Sequence, residues 1–330
     1  GKSPTREYAI YSGATDIWSS ATNTSAVTNY FGPSGLGYIP ATPAHLTDWG
    51  ANATRINNDI NNGTFMVQHR DHGDVTGWGE PSYSNSDLNG LSNTELTFVF
   101  SINCLTGLYS GSTECFAEAF HRMDQGALGI IAASEVSYSF VNDTFVWGMY
   151  DQIWPDFDPG NGLDGDHEFL PSFAMASGKH YLEASSWPYN TNNKEVTYYL
   201  FHHHGGAFSN VYTEVPQNLT VAHDAAMLSG LTFFNVTADA GALIGLSHNG
   251  QYLGAATGTG YPISIPIESL LPGEQLTVTV TKQNFYRYST DVQVIPPEGS
   301  YLVFNSLELL DTDLNGQLDY DEMAELAINV

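Results

Sequence analysis

The side chains of this sequence best placed for chemistry are a thiol and an imidazole, Cys104 and His72. A thiol attacks poorly at neutral pH unless a base takes its proton or its pKa is depressed, and a neighbouring imidazole can be that base. His72 stands just past the apolar run TFMVQ, and Cys104 just past LTFVFSI. A third run, Ala127–Ala133, is followed some way on by Asp143. Glycine comes soon after each reactive side chain, at Gly73 and Gly107. Glycine permits tight turns and lets a substrate backbone come close. The plain alternative is a loop histidine and a small buried hydrophobic cysteine.

The runs that must position these groups are rich in Val, Ile and Phe and stop at polar residues, as buried strands do. Cys115–Met123 puts Phe116, Ala119, Phe120 and Met123 at helical spacing. The order strand, strand, helix, strand predicts a parallel α/β sheet. Ligand sites of such sheets lie outside the carboxyl ends of the strands, so thiol, imidazole and carboxylate are expected on one edge. YAIYSG (Tyr8–Gly13) reads as an earlier strand with Asp16 past its end, and Ala51–Asn62 as a short helix. The loop Gly73–Gly90 carries Trp78 and either lines a cleft or is an exposed loop with one packed ring. Helices are expected over Phe145–Trp154 and Phe169–Ser185, and a strand over Thr197–Phe201. Asp156–Glu168 is either a calcium loop or a solvated acidic loop. His202, His203 and His204 alternate faces if they lie in a strand, so they cannot converge on one ion.

His72-Gly73 after one strand, Asn103-Cys104 after the next, and a second cysteine opening CFAEAF resemble the gingipain family of cysteine peptidases, with the lysine-type member the nearer in pattern. The resemblance covers roughly Tyr8 to Val215 and implies a caspase-like fold. It implies Cys104 as nucleophile, His72 as general base and then acid, and N–H groups near Gly73 and Cys104 as an oxyanion hole. Through their spacing to His72 and Cys104, Asp16 corresponds to the acid that orients the histidine and Asp143 to the acid at the base of the first specificity pocket. The resemblance thus implies Lys or Arg before the scissile bond, with Phe140 placed to pack on its aliphatic stem. Arg70 departs from the pattern, standing where the lysine-type relative has a small hydroxyl residue. If Arg70 pairs with Asp143, a neutral or acidic residue is favoured instead; if it points to solvent, Asp143 is free.

Val215-Pro216 marks a boundary, after which short β-rich runs alternate with turns. Asn249-Gly250 is a type I′ hairpin signal, and the pattern reads as a β-sandwich. The family carries an immunoglobulin-like domain at this position. Pro296-Pro297 is a second break. Beyond it, DTDLNGQLDYDE has the spacing of an EF-hand calcium loop: Asp311, Asp313, Asn315, Gln317 through its carbonyl, Asp319 and Glu322, with Gly316 at the turn. Flanking SLELL and MAELAI are expected to form its helices. The family does not require this element. The expected organisation is a caspase-like α/β domain over 1–215, an immunoglobulin-like sandwich over 216–297 and an EF-hand-like segment over 298–330.

Nine basic residues against 36 acidic ones give a formal charge of −27, which excludes nucleic acid and anionic membranes as partners and favours cations. No apolar run reaches the roughly 18 residues of a membrane helix. Two cysteines make no disulfide framework, although Cys104 and Cys115 could bridge and so silence the nucleophile. The expectation is a secreted or cell-surface, calcium-binding cysteine endopeptidase acting on protein substrates, with a processed N-terminal segment as a further partner. The alternatives are a related peptidase cleaving after Asn or acidic residues, and a catalytically silent adhesion or binding module.

Overall fold

A computed structural model describes residues 3–9, 18, 24–43, 49–154, 156–158, 169–185, 191–297, 306–310, 317, 320 and 325–329. The chain divides into two compact units, Gly1–Thr213 and Glu214–Val330. Among the described residues no helix is long and apolar enough to cross a membrane.

In the first unit, helices α1 (Thr24–Phe31) and α2 (Ala53–Asn61) precede strand β1 (Met66–His69). Asn52 caps α2, its side chain accepting from Arg55 N–H at 3.1 Å. A small meander follows, β2 (Gly73–Asp74), β3 (Gly77–Trp78) and β4 (Tyr83–Ser84). So the stretch read as a loop is partly ordered into strands, and Trp78 is buried beneath it. Then come β5 (Thr97–Ser101), α3 (Phe116–Arg122), β6 (Ala127–Ala133), α4 (Val141–Ile153), α5 (Pro171–Ala184), α6 (Lys194–Leu200) and β7 (Phe201–Gly205). Tyr8 forms an isolated parallel bridge to Trp49; most of the expected strand Tyr8–Gly13 lies outside the described residues.

The sheet order is β1-β5-β6-β7. The strands β1, β5 and β6 run parallel, whereas β7 runs antiparallel to β6, so the sheet is mixed rather than all parallel. Helix α6 explains the reversal. It brings the chain back to the carboxyl end of β6, where Ser134 N–H bonds Leu200 C=O at 2.8 Å, and the next strand must run away from that edge. The strand expected over Thr197–Phe201 is therefore mostly helix. Thr197 and Leu200 are buried while Val196, Tyr198 and Tyr199 are exposed, a helical spacing that outweighs the β preference of Thr, Tyr and Val.

Strand alternation divides the core between the sheet faces. Val99, Ile130 and Ala132 pack with Ile56, Ile60, Phe116 and Phe120 from α2 and α3. Phe98, Phe100, Ile131 and Ala133 pack with Phe145 and Met149 of α4 and Phe201.

Among the described residues the second unit is all β. Its strands are β8 (Gln217–Asn218), β9 (Val221–His223), β10 (Ala226–Leu228), β11 (Phe233–Ala238), β12 (Leu243–His248), β13 (Gln251–Thr257), β14 (Ile263–Pro266), β15 (Gln275–Thr281), β16 (Phe285–Tyr286) and β17 (Tyr288–Ile295). A five-stranded sheet, β10-β17-β15-β12-β13, and a three-stranded sheet, β14-β11-β9, share one apolar core. Asn249 and Gly250 both adopt positive φ, 49° and 76°, as a type I′ turn between β12 and β13 requires. The segments expected to be EF-hand helices are instead two antiparallel strands, β18 (Ser306–Leu310) and β19 (Glu325–Asn329). Ser306–Leu309 alternates polar and apolar residues, and the register sets Leu309 opposite Leu326, a cross-strand pair that favours sheet. Asp311, Asp313, Asn315, Asp319 and Glu322 lie outside the described residues; Gln317 is exposed.

Candidate active site

β1 and β5 are parallel neighbours whose last ladder pair is His69 with Ser101. His72 and Cys104 each lie three residues past that pair, so the two chains leave the sheet side by side. Gly73 shows how close they come. A Cβ on Gly73 would stand 2.6 Å from Asn103 Oδ1 and 2.8 Å from Cys104 O, a space only glycine fits. His72 is exposed and Cys104 half-buried. Leu105, next along, is held at φ 60°, a strained conformation for a branched side chain. The chain turns there: Thr106 N–H bonds Cys104 C=O at 2.7 Å, and Gly107 N–H bonds Ala133 C=O at 2.8 Å.

The loop after β6 forms another wall. Ser137 N–H points to Cys104 Sγ at 3.4 Å, and its hydroxyl donates to Asn103 C=O at 2.8 Å. Asn142 Nδ2 donates to that hydroxyl at 2.7 Å. Asp143 sits in the first turn of α4, where the helix dipole favours a carboxylate. Phe140 precedes that helix at φ 64°. Arg70 Nε reaches Asp143 Oδ1 at 2.6 Å, and both side chains are about a quarter exposed. The ion pair joins the segment that carries His72 to the segment that walls Cys104. Both cysteines are free; burial raises the pKa of the Cys115 thiol. Asp16 and most of the acidic loop Asp156–Glu168 lie outside the described residues. Among the described residues no group of three or more His, Cys, Asp or Glu could hold a metal ion, His202–His204 included.

Sequence reasoning missed the support beneath Cys104. His69 is buried and stacked flat on Trp78, ring centroids 4.5 Å apart. Its Nε2 faces Glu80 C=O at 3.2 Å and must carry the proton, so Nδ1 accepts from Asn103 Nδ2 at 2.7 Å. Asn103 Oδ1 accepts from Thr106 Oγ1 at 2.7 Å, and Trp78 Nε1 donates to Ser101 Oγ at 2.8 Å. Burial pushes the His69 imidazole down to about 4, so it is neutral near pH 7. The available signal was strand alternation, which puts His69 on the face of Val67 and turns Gln68 outward.

Residues 13–205, more than half of the chain, match the model of peptidase family C25. The chain belongs to that family. Residues 223–295 match the model described as its C-terminal ig-like domain. Gingipain R2 of Porphyromonas gingivalis is 27% identical over 75% of this chain and 33% of its own length. Lys-gingipain W83 of the same organism is 21% identical over 72% of this chain and 14% of its own. The chain thus spans about a third or less of these curated relatives. The crystal structure of the Arg-specific cysteine proteinase gingipain R superposes with a TM-score of 0.66 at 22% identity, covering 87% of this chain and 66% of that one. It shares the C25 fold. Family and relatives together support a cysteine peptidase.

Proposed function

We propose that the protein is a cysteine endopeptidase in which Cys104 attacks the scissile carbonyl and His72 moves the proton. The observation that carries this is the packing of Gly73 against Asn103 and Cys104 at the ends of neighbouring parallel strands. His72 would take the thiol proton as Sγ bonds the carbonyl carbon, then give it to the leaving amine as the C–N bond breaks. Water would then release the acyl group from sulfur. Two backbone donors are suited to the oxyanion. Cys104 N–H makes no hydrogen bond to a described residue. Gly79 N–H bonds His72 C=O, so Gly73 and Trp78 are the next, non-hydrogen-bonded pair of that ladder, and Gly73 N–H is directed out of it. Asp16 is retained as the residue orienting His72.

Cys104→Ala should lower turnover of a protein substrate at least a thousandfold with the fold intact by circular dichroism. His72→Ala should cost nearly as much, because nucleophile and base act as a unit. Cys115→Ala should be mild. Full activity in purified Cys104→Ala would rule the mechanism out. A preference for Lys or Arg, implied by the kinship with Arg- and Lys-gingipains, needs Asp143 to meet the substrate; Arg70 already holds it. Secretion or surface display, and a processed N-terminal segment as partner, belong to the same reading through the resemblance alone.

Calcium in the Asp311–Glu322 loop is the second part of this proposal. Its support is the donor spacing and the pairing of Leu310 with Glu325, the described residues that flank it. The ligands would be Asp311, Asp313, Asn315, the Gln317 carbonyl, Asp319 and Glu322. Calcium should raise the melting temperature, and Glu322→Gln should shrink that gain. Identical calorimetric titrations of the two proteins would remove the assignment.

A further inference from the structure

We propose that Arg70 sets the pocket beside Cys104 to accept an acidic side chain before the scissile bond; this rests on the peptidase reading above. Arg70 lies two residues before His72, and Asp143 begins the helix that follows the Ser137 wall. Their ion pair therefore spans the two segments on either side of the thiol. Among the described residues only Nε is engaged, at 2.6 Å. A guanidinium carries five donors, and Nη1 and Nη2 of Arg70 bond no described residue. The side chain keeps 28% of its exposure. The outer fork, two parallel N–H groups, is the geometry that binds a carboxylate bidentately.

A cationic substrate side chain would meet a carboxylate already neutralised and a guanidinium of its own sign. To bind, it must displace Arg70, whereas an acidic side chain completes the fork without breaking anything. The other carboxylates on this turn are occupied locally. Asp71 accepts from His72 N–H at 2.6 Å and Asp74 from Val75 N–H at 2.7 Å, each folded onto its own backbone. Glu80 and Glu135 are exposed to solvent, which screens them.

The test uses matched peptides that differ only in the residue before the scissile bond: Asp, Glu, Asn, Lys or Arg. Wild type should cut the Asp and Glu peptides with kcat/KM at least tenfold above Lys and Arg. Arg70→Ser should reverse that order, and Arg70→Lys should weaken the acidic preference without reversing it. The same peptides are titrated calorimetrically into full-length Cys104→Ala, where Asp or Glu should bind at least fivefold tighter than Lys. Preference for Lys or Arg in wild type, or an order unchanged by Arg70→Ser, overturns the inference. No peptide cut by wild type but an acidic preference in binding would sink the peptidase reading and leave the pocket assignment standing. No acidic preference in binding overturns the assignment even if peptides are cut.

Discussion

The two units are built on different cores. Among the described residues every buried polar side chain lies between His69 and Thr197, while the buried side chains of the sandwich are all apolar. The sandwich core, from Met227 to Val294, follows strand alternation and depends on nothing but fit. The α/β unit gives up part of its core beneath Cys104 to His69, Ser101, Asn103 and Thr106. Burying such groups is costly unless they are bonded, and here they bond one another. A cooperative network of that kind fixes a loop in one conformation. The difference separates a core built on apolar fit from one that fixes the loop carrying Cys104.

Truncating one buried side chain in each unit separates stability from turnover. Leu276→Ala in the sandwich deletes a fully buried side chain and should destabilise its unit by about 2–5 kcal/mol. Turnover per folded molecule should not change. Asn103→Ala should cost less stability, about 1–3 kcal/mol, by orphaning its partners. It should nevertheless lower kcat at least tenfold, because a small misplacement of a reacting group is expensive. Denaturant unfolding and initial rates measure both. An Asn103→Ala protein with unchanged kcat would reduce the network to scaffolding.

Legibility in the sequence followed locality. The strand ends that carry His72 and Cys104 are visible because apolar runs stop there and glycine follows. The Asn249-Gly250 hairpin and the sandwich are visible because a type I′ turn and period-two alternation are local properties. The antiparallel β7 was hidden, since its direction depends on where α6 delivers the chain. Thr197–Leu200 misled because β-branched and aromatic residues outvoted a spacing that only burial reveals. SLELL and the ELAI of MAELAI fit a strand as well as a helix, and their pairing with each other decides it. Arg70 was legible as a departure, with pairing to Asp143 or exposure to solvent as its two outcomes; choosing between them for residues 73 apart in sequence needs the fold. His69 was overlooked because its chemistry lies in what it touches.

The buried His69 ring ties the stability of the α/β unit to pH. Its ordinary value is 6.5, and burial holds it at about 4 in the fold. Above pH 6.5 the imidazole is neutral both folded and unfolded, so its contribution to stability is fully present. As pH falls through 6.5 the unfolded chain takes a proton that the folded protein refuses. Stability is therefore lost progressively down to about pH 4 and no further, because below that both states are charged. The full span is worth ~3 kcal/mol at most. His69→Gln keeps a donor and an acceptor there and does not titrate, while the carboxylates and other histidines contribute alike to both proteins. The melting temperature of wild type should fall more steeply than that of His69→Gln between pH 6.5 and 4, and the curves should run parallel above pH 7. Parallel curves throughout would show that His69 is not buried as a neutral ring. A cut in the sandwich core such as Leu276→Ala should leave this pH dependence untouched.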